Sequence, residues 1–372
     1  MIKKIVLFLG LALIVSCSTS DDSPSGGTTD DFDRAALLTN LADNIIIPSY
    51  QDFGPKLSTL KGAIESFVAT PNQSTLNTAR TNWLTAYKAW QHVEMFNIGK
   101  AEALNQYYYF MNIYPVTVSD IETGVNTGSY DLNSSNYHDA QGFPALDYLL
   151  YGVASDDAGI LSKYASDANA QGYKDYLTAV IDQMDSLTQQ VITDWTTVYR
   201  NQFVNSTQNT ATSSLNKFVN DYIFYYEKGL RANKFGIPAG VFSTAPLPEK
   251  VEAYYNQEVS KALSLEALNA VQNVFNGKAF NSSATGASFK TYLEHLNTNR
   301  GGQNLSTIIN DQFNLARTKI EGLNSSFSQQ VTADNSKMTD TYDVLQMAVV
   351  YLKVDMVQAF NISVDYVDAD GD

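Results

Sequence analysis

Two acidic residues stand out in this chain because each interrupts an apolar frame. Glu94 follows Trp90 by four residues and Val93 by one, so it borders the buried stripe of its helix rather than the solvent face. Asp147 sits within Ala145-Leu146-Asp147-Tyr148-Leu149-Leu150, where its neighbours are apolar. An unpaired buried carboxylate is costly, so each must find a cation, a donor or a proton. Two readings follow. In the structural one, each acid caps a helix end or pairs with a buried arginine such as Arg80 or Arg231. In the functional one, the carboxylates and the tyrosine hydroxyls around them, Tyr148 included, line a shared cleft. There they offer hard oxygen ligands to a cation, or donors and acceptors to a small solute. Glu94 and Asp147 then face one another across the joint between a long helix and the Gly142-Phe143-Pro144 turn. His138-Asp139, in the loop just before Gly142, reaches the same cleft.

Other chemistry has little material. The only histidines are His92, His138 and His295, and the only cysteine is Cys17, which excludes disulfides and thiolate metal sites. A metal site must therefore lean on oxygen, with Glu94 and Asp147 as candidates for iron or another cation. No His-Glu-x-x-His and no Gly-x-Ser-x-Gly elbow occurs. The 24 Lys and Arg against 39 Asp and Glu give a net charge of -15, and no basic run follows Lys4, which excludes an electrostatic nucleic-acid binder. Asp368-Ala369-Asp370-Gly371-Asp372 imitates the opening of a calcium loop without the closing glutamate, and reads as a solvated acidic tail.

The positioning elements read as helices. Apolar residues recur at steps of three and four from Leu38 onward, with no strand-like alternation. Leu38, Leu41 and Ile45 lead into Pro48, and Phe53, Leu57, Leu60, Ile64 and Phe67 resume the period, which predicts one helix broken or kinked at the proline. Thr70-Pro71 reads as a cap and an N1 proline for the next helix, whose stripe is Leu76, Ala79, Trp83, Ala86, Trp90 and Val93, with Gly99 as its stop. Further stripes run from Tyr173 through Trp195 to Val198, from Leu215 through Phe218 and Tyr222 to Tyr225, over Leu305, Ile308, Gln312 and Leu315, and from Tyr342 to Met356. Tyr107-Tyr108-Tyr109-Phe110 reads as packing whose bulk, beside Met111 and Ile113, can wall a pocket. The fold class is all-α with bundle-type packing. Two short echoes, Phe96-Asn97-Ile98 with Phe360-Asn361-Ile362 and Gly142-Phe143-Pro144-Ala145 with Gly236-Ile237-Pro238-Ala239, suggest two helical-bundle halves.

The N-terminus is an address. Lys3-Lys4, an apolar run from Ile5 to Val15 and a small residue before the cut describe a secretory signal over residues 1–16, too short for a comfortable membrane span. Ile14-Val15-Ser16-Cys17 resembles the lipobox of bacterial lipoproteins, which implies that Cys17 is acylated and becomes the first mature residue. Residues 17–32, rich in Ser, Thr, Gly and Asp, form a flexible tether.

Three motifs in order carry a wider resemblance. They are Ala79-Arg80-Thr81-Asn82-Trp83 with Ala86-Tyr87-Lys88-Ala89-Trp90 and Glu94-Met95-Phe96, then Gln141 to Gly152, then Lys234-Phe235-Gly236-Ile237-Pro238-Ala239-Gly240. Together they resemble the imelysin family of secreted bacterial proteins from about Leu38 to the C-terminus. The resemblance implies two four-helix-type halves related by a pseudo-twofold (about 33–200 and 201–367), export, and a link with iron acquisition. The resemblance also implies that some members are metallopeptidases, with a Gly-x-His-x-x-Glu motif that falls here on Gly142 to Asp147. In this chain the motif histidine is Pro144 and the glutamate is Asp147. Proline offers no side-chain ligand, so a hydrolytic zinc site, which needs about three ligands and an open position for water, lacks a member.

The expectation is a lipid-anchored extracytoplasmic binding protein, periplasmic or surface-facing at the outer membrane. It takes part in iron or haem acquisition by holding a metal, haem, a chelate or an uptake-system protein, and it is not proteolytic. The alternatives are a metallopeptidase and a structural or partner-docking lipoprotein without a small-molecule site.

Overall fold

The computed structural model describes residues 30–366. The signal segment, Cys17, most of the tether and the acidic tail lie outside the described residues. From Asp33 onward the chain packs as one compact unit. It is helical, as its periodicity requires; among the described residues the only strands are a two-residue antiparallel pair, Asn299–Arg300 with Gln303–Asn304. No helix among the described residues is long and apolar enough to cross a membrane.

Two sets of helices make most of the core. Ile47–Ala69 packs on both Gln73–Trp90 and Ala170–Asp194, burying Phe53, Leu57, Leu60, Ile64 and Phe67 against Leu76, Trp83 and Trp90. Further along, Leu305–Glu321 packs on Ser260–Phe275 and Ser336–Val350, and the last of these also meets the segment Tyr225–Gly236. Fully buried aromatic side chains fill both sets, and each removes enough apolar surface from water to contribute roughly 2–3 kcal/mol.

Several helix details differ from the sequence expectation for identifiable reasons. At Pro48 the chain does not break; a π-helical stretch, Leu41–Ile46, feeds directly into Ile47–Ala69, placing the proline in the first turn of the α segment. The cap of the next helix is Asn72 rather than Thr70. Its side chain accepts from the Ser74 and Thr75 amides, and Thr75 returns the bond to the Asn72 amide, a complete capping box. That helix ends at Trp90, well before Gly99, and Glu94 lies in the turn that follows. Val198, expected on the core stripe, is 51% exposed. The helix widens to π geometry at Trp195–Tyr199, and the smaller rotation per residue leaves Val198, three positions on from the buried Trp195, short of the core face. Leu315 is exposed as well, because the buried stripe of its helix runs through Leu305, Ile309, Phe313, Ala316 and Ile320.

Candidate functional site: a buried carboxylate network walling a pocket

The site begins with where the helix Gln73–Trp90 stops. Beyond Trp90 the backbone closes tight turns, with the His92 amide donating to the Ala89 carbonyl and the Val93 and Glu94 amides to the Trp90 carbonyl. This brings Gln91 and Glu94 to the inner side. Opposite them runs a twelve-residue π-helical segment, Tyr225–Gly236, in which residues about four apart share a face. A non-helical strap, residues 251–258, passes between, with Ala253 and Gln257 at φ 57° and 64°. Both residues carry a Cβ, so the strap stores backbone strain that its side-chain and backbone partners must offset.

The strap's Glu252 is the hub. Its Oε2 accepts from Lys234 Nζ at 2.5 Å, and both side chains are almost completely buried. Its Oε1 accepts from Gln91 Nε2 at 3.1 Å and Asn112 Nδ2 at 3.0 Å. Asn112 Nδ2 also donates to Glu94 Oε1 at 2.9 Å, and Tyr87 donates its hydroxyl proton to Asn112 Oδ1. One cation thus serves two carboxylates, directly for Glu252 and through space for Glu94. Burial pushes the Glu94 carboxyl up to about 7, opposed first by the Lys234 charge and reinforced by Glu252.

Glu94 Oε1 is occupied, whereas its Oε2 is buried with no hydrogen-bond partner among the described residues. The Trp90 indole N–H and the Tyr225 hydroxyl stand beside the Glu94 carboxylate as its nearest remaining donors and act on it electrostatically, although neither meets full hydrogen-bond geometry. Glu94 and Tyr225 belong to the lining of a pocket of about 120 Å³, which Asn97, Asp221, Lys228 and Asn233 also reach. Tyr108, Tyr109, Met95, Ile113 and Phe224 give it apolar walls, so the tyrosine run does line a cavity as its bulk suggested. Burial drives the Asp221 carboxyl well above its ordinary range, with the Glu102 and Asp365 charges adding to the effect.

The other sequence-derived candidates are placed elsewhere. Asp147 ends the buried helix Gly142–Asp147 and accepts the Tyr255 amide at 2.8 Å on Oδ2 and the Asn256 amide at 3.0 Å on Oδ1. Both oxygens thus hold the strap. Burial raises this carboxyl to about 7 against the lowering effect of the two amides. The structure does not pair it with Glu94: their hydrogen-bond partners are separate, and Tyr87 lies in the electrostatic field of both. Nor does either proposed arginine serve them. Arg80 donates to the Leu150 carbonyl and pairs with Asp157, while Arg231 lies beside Glu227 and donates to Tyr342.

Pro144 is buried within the helix Gly142–Asp147. The turn before it requires glycine: Gly142 has φ +75°, and a Cβ there would fall 2.3 Å from the Met111 carbonyl oxygen. Phe143 donates its amide to that same carbonyl and stacks on Tyr87 at 4.4 Å, which locks the segment beside the network. Tyr148 donates to Glu122 and packs edge-on against Tyr255 of the strap. His138 stacks on Tyr109 at 5.1 Å, so it backs the pocket wall rather than lining it; burial lowers its pKa, with Asp139 opposing. No group of three or more His, Cys, Asp or Glu side chains among the described residues is arranged to hold a metal ion.

The family model described as Imelysin matches residues 46–356. The chain belongs to the imelysin family. It is similar to iron-regulated protein A of Synechococcus elongatus, at 25% identity over 121 residues, 31% of this chain. The match spans about a third (33%) of that curated relative's length. Among solved structures it resembles an iron-regulated protein A precursor from Parabacteroides distasonis, with a TM-score of 0.68 at 17% identity, covering 87% of this chain and 95% of that one. It also resembles an imelysin-like protein from Psychrobacter arcticum, with a TM-score of 0.66 at 18% identity, covering 90% and 97%. These likenesses establish the fold.

Sequence reasoning missed Glu252, Asn112, Gln91 and Asp221 altogether, and gave Lys234 no role. Lys234 carried a usable signal, a lone cation in Lys-Phe-Gly-Ile-Pro. Glu252 carried none, because the strap around it has no helical period.

Proposed function

We propose that this imelysin-family chain is a lipid-anchored, extracytoplasmic binding protein that serves iron or haem acquisition and is not proteolytic. The observation that carries the reading is the pocket at Glu94, where a carboxylate held in place by the Lys234–Glu252–Asn112 network keeps one buried oxygen outside full hydrogen-bond geometry, with the Trp90 indole N–H and the Tyr225 hydroxyl as its neighbouring donors. A side chain so expensively positioned and left half-satisfied is arranged for a ligand. The iron link comes from the names of the relatives, two of them called iron-regulated protein A. The extracytoplasmic placement rests on the signal segment with Cys17 and on the precursor naming of one relative. A pseudo-twofold relation between the two sets of packed helices belongs to the same reading, supported by the paired Gly-x-Pro-Ala motifs.

The chemistry of the donor set supports a non-hydrolytic role. Pro144 brings no ligand to the motif, Asp147 spends both oxygens on backbone amides, and His138 stands behind Tyr109. Glu94, with Tyr148 and His138 as outlying supports and Asp147 fixing the strap, is therefore assigned to binding. The test is growth of a deletion strain under iron limitation. Wild-type protein should restore growth, and Glu94→Gln, at equal abundance, should not. Equal rescue by Glu94→Gln would remove the pocket from the function. Chelator-sensitive cleavage of an unfolded protein substrate by the purified chain would replace the reading with a peptidase.

A further inference from the structure

We infer that Glu122, Tyr148 and Tyr173 form a ferric-ion site, with the carboxylate and the two phenolates as its ligands; the inference rests on the reading of this chain as one that serves iron acquisition. The elements converge because two glycines let them. Glu122 lies in the helix Val118–Thr127, and Tyr173 in the first turn of Ala170–Asp194. A Cβ at Gly172 would fall 2.1 Å from the Val125 carbonyl oxygen, and one at Gly124 would fall 2.6 Å from the Tyr176 ring. Larger residues there would push the two helices apart. Tyr148 opens the segment Tyr148–Gly152, directly after Asp147. Its hydroxyl donates to Glu122 Oε1 at 2.6 Å, and the Tyr173 hydroxyl donates to Glu122 Oε2 at 2.7 Å. Both rings are buried whereas Glu122 is only half-buried, so the four oxygens gather at the protein surface.

This cluster suits a small, hard, highly charged cation. Carboxylate and phenolate oxygens are hard donors. Adjacent oxygens around an octahedral ion with bonds of about 2.0–2.1 Å stand roughly 2.9 Å apart, close to the spacings already present. Charge balance selects the trivalent state. Binding of Fe³⁺ forms two iron–phenolate bonds, breaks two O–H bonds and releases both protons to solvent, leaving one carboxylate and two phenolates against three positive charges. A divalent ion is disfavoured: burial, and then the hydrogen bond to Glu122, hold both hydroxyls above the ordinary tyrosine range, so only a strong Lewis acid displaces their protons. The other groups facing the cluster are Tyr164, Tyr255, Lys163 and Asp167. Lys163 and Asp167 pair with each other at 3.2 Å and cancel in charge.

The test is titration of the purified, iron-free mature chain with ferric nitrilotriacetate, followed by visible absorption and by proton release in weakly buffered solution. The wild type should develop a phenolate-to-iron charge-transfer band that saturates at one iron per chain, and calcium or zinc in excess should not suppress it. Tyr148→Phe and Tyr173→Phe, which keep the buried rings, should each weaken the band and release one proton fewer, and the double variant should abolish it. Losing a group that merely orients metal ligands costs about 10–100-fold in metal affinity, so Glu122→Gln, which removes a ligand itself, should weaken binding at least tenfold. Circular dichroism melts check that each variant is folded. No band at saturating ferric chelate, or a band that survives in the double phenylalanine variant, overturns the assignment. That failure is distinct from failure of the functional reading, which is scored separately by Glu94-dependent growth under iron limitation.

Discussion

Removing the Lys234 charge tests the buried network most directly. Lys234→Met keeps the length and most of the apolar volume of the side chain while deleting the ammonium 2.5 Å from Glu252 Oε2. Glu252 is 2% exposed and would be left with only the Gln91 and Asn112 amides as donors. Stranding one member of a buried ion pair costs about 3–5 kcal/mol, because the remaining charge keeps its desolvation penalty. For the roughly 340 described residues the entropy of unfolding is about 0.7 kcal/mol/K, so the melting temperature should fall by about 4–7 °C. The double variant Lys234→Met/Glu252→Gln removes the orphaned charge yet keeps an amide oxygen for Gln91 and Asn112, and should recover most of that loss. Urea unfolding of the wild type, both single variants and the double completes the cycle. A single-variant loss under about 1 kcal/mol, or a double variant that simply adds the two losses, would refute the claim that Lys234 exists to neutralise Glu252. A second readout follows from the same geometry: the Lys234 charge holds the Glu94 carboxyl down, so its removal should move that group above about 7 and shift the pH profile of ligand binding upward.

Asp147 makes a pH prediction of definite sign. Its carboxyl rises from 3.8 to about 7 on folding through burial, so the native state binds the extra proton and stability, full below pH 3.8, is lost as pH rises toward 7. Asp147→Asn should flatten the stability profile between about pH 5 and 7 by roughly 1.4 kcal/mol per pH unit, and an unchanged slope would argue against the burial-driven shift. Asp147→Ala should loosen the strap, seen as faster amide exchange at Tyr255 and Asn256 relative to core helices, because those two amides lose their acceptors. Cys17→Ser should release the protein from the membrane fraction into a soluble form, and retention through detergent-free washing would remove the lipid anchor from the functional proposal.

Much of this architecture was readable because apolar side chains announce their own period. Leu76, Ala79, Trp83, Ala86 and Trp90 all fall on a buried face, as the three-and-four spacing requires. The reading slipped where the period itself changed. A π turn displaces Val198, and the period alone carries the helix on to Glu94 although it ends at Trp90, since no proline or glycine marks that stop. The site failed for a deeper reason. Glu252 meets Gln91 and Asn112, which lie 161 and 140 residues away in the chain, and no local pattern encodes such a pairing. Residue type alone points to Arg80 and Arg231, since arginine suits buried ion pairs, yet both are engaged elsewhere. The rule that found Glu94 and Asp147, a charge set inside an apolar frame, applies equally to Lys234 in Lys-Phe-Gly-Ile-Pro. Applied to both signs, it pairs the buried acids with the counter-charge that they demand. A short list of misplaced charges, both signs together, constrains a buried site more tightly than its carboxylates alone, because the desolvation cost of each must be offset by another member of the list.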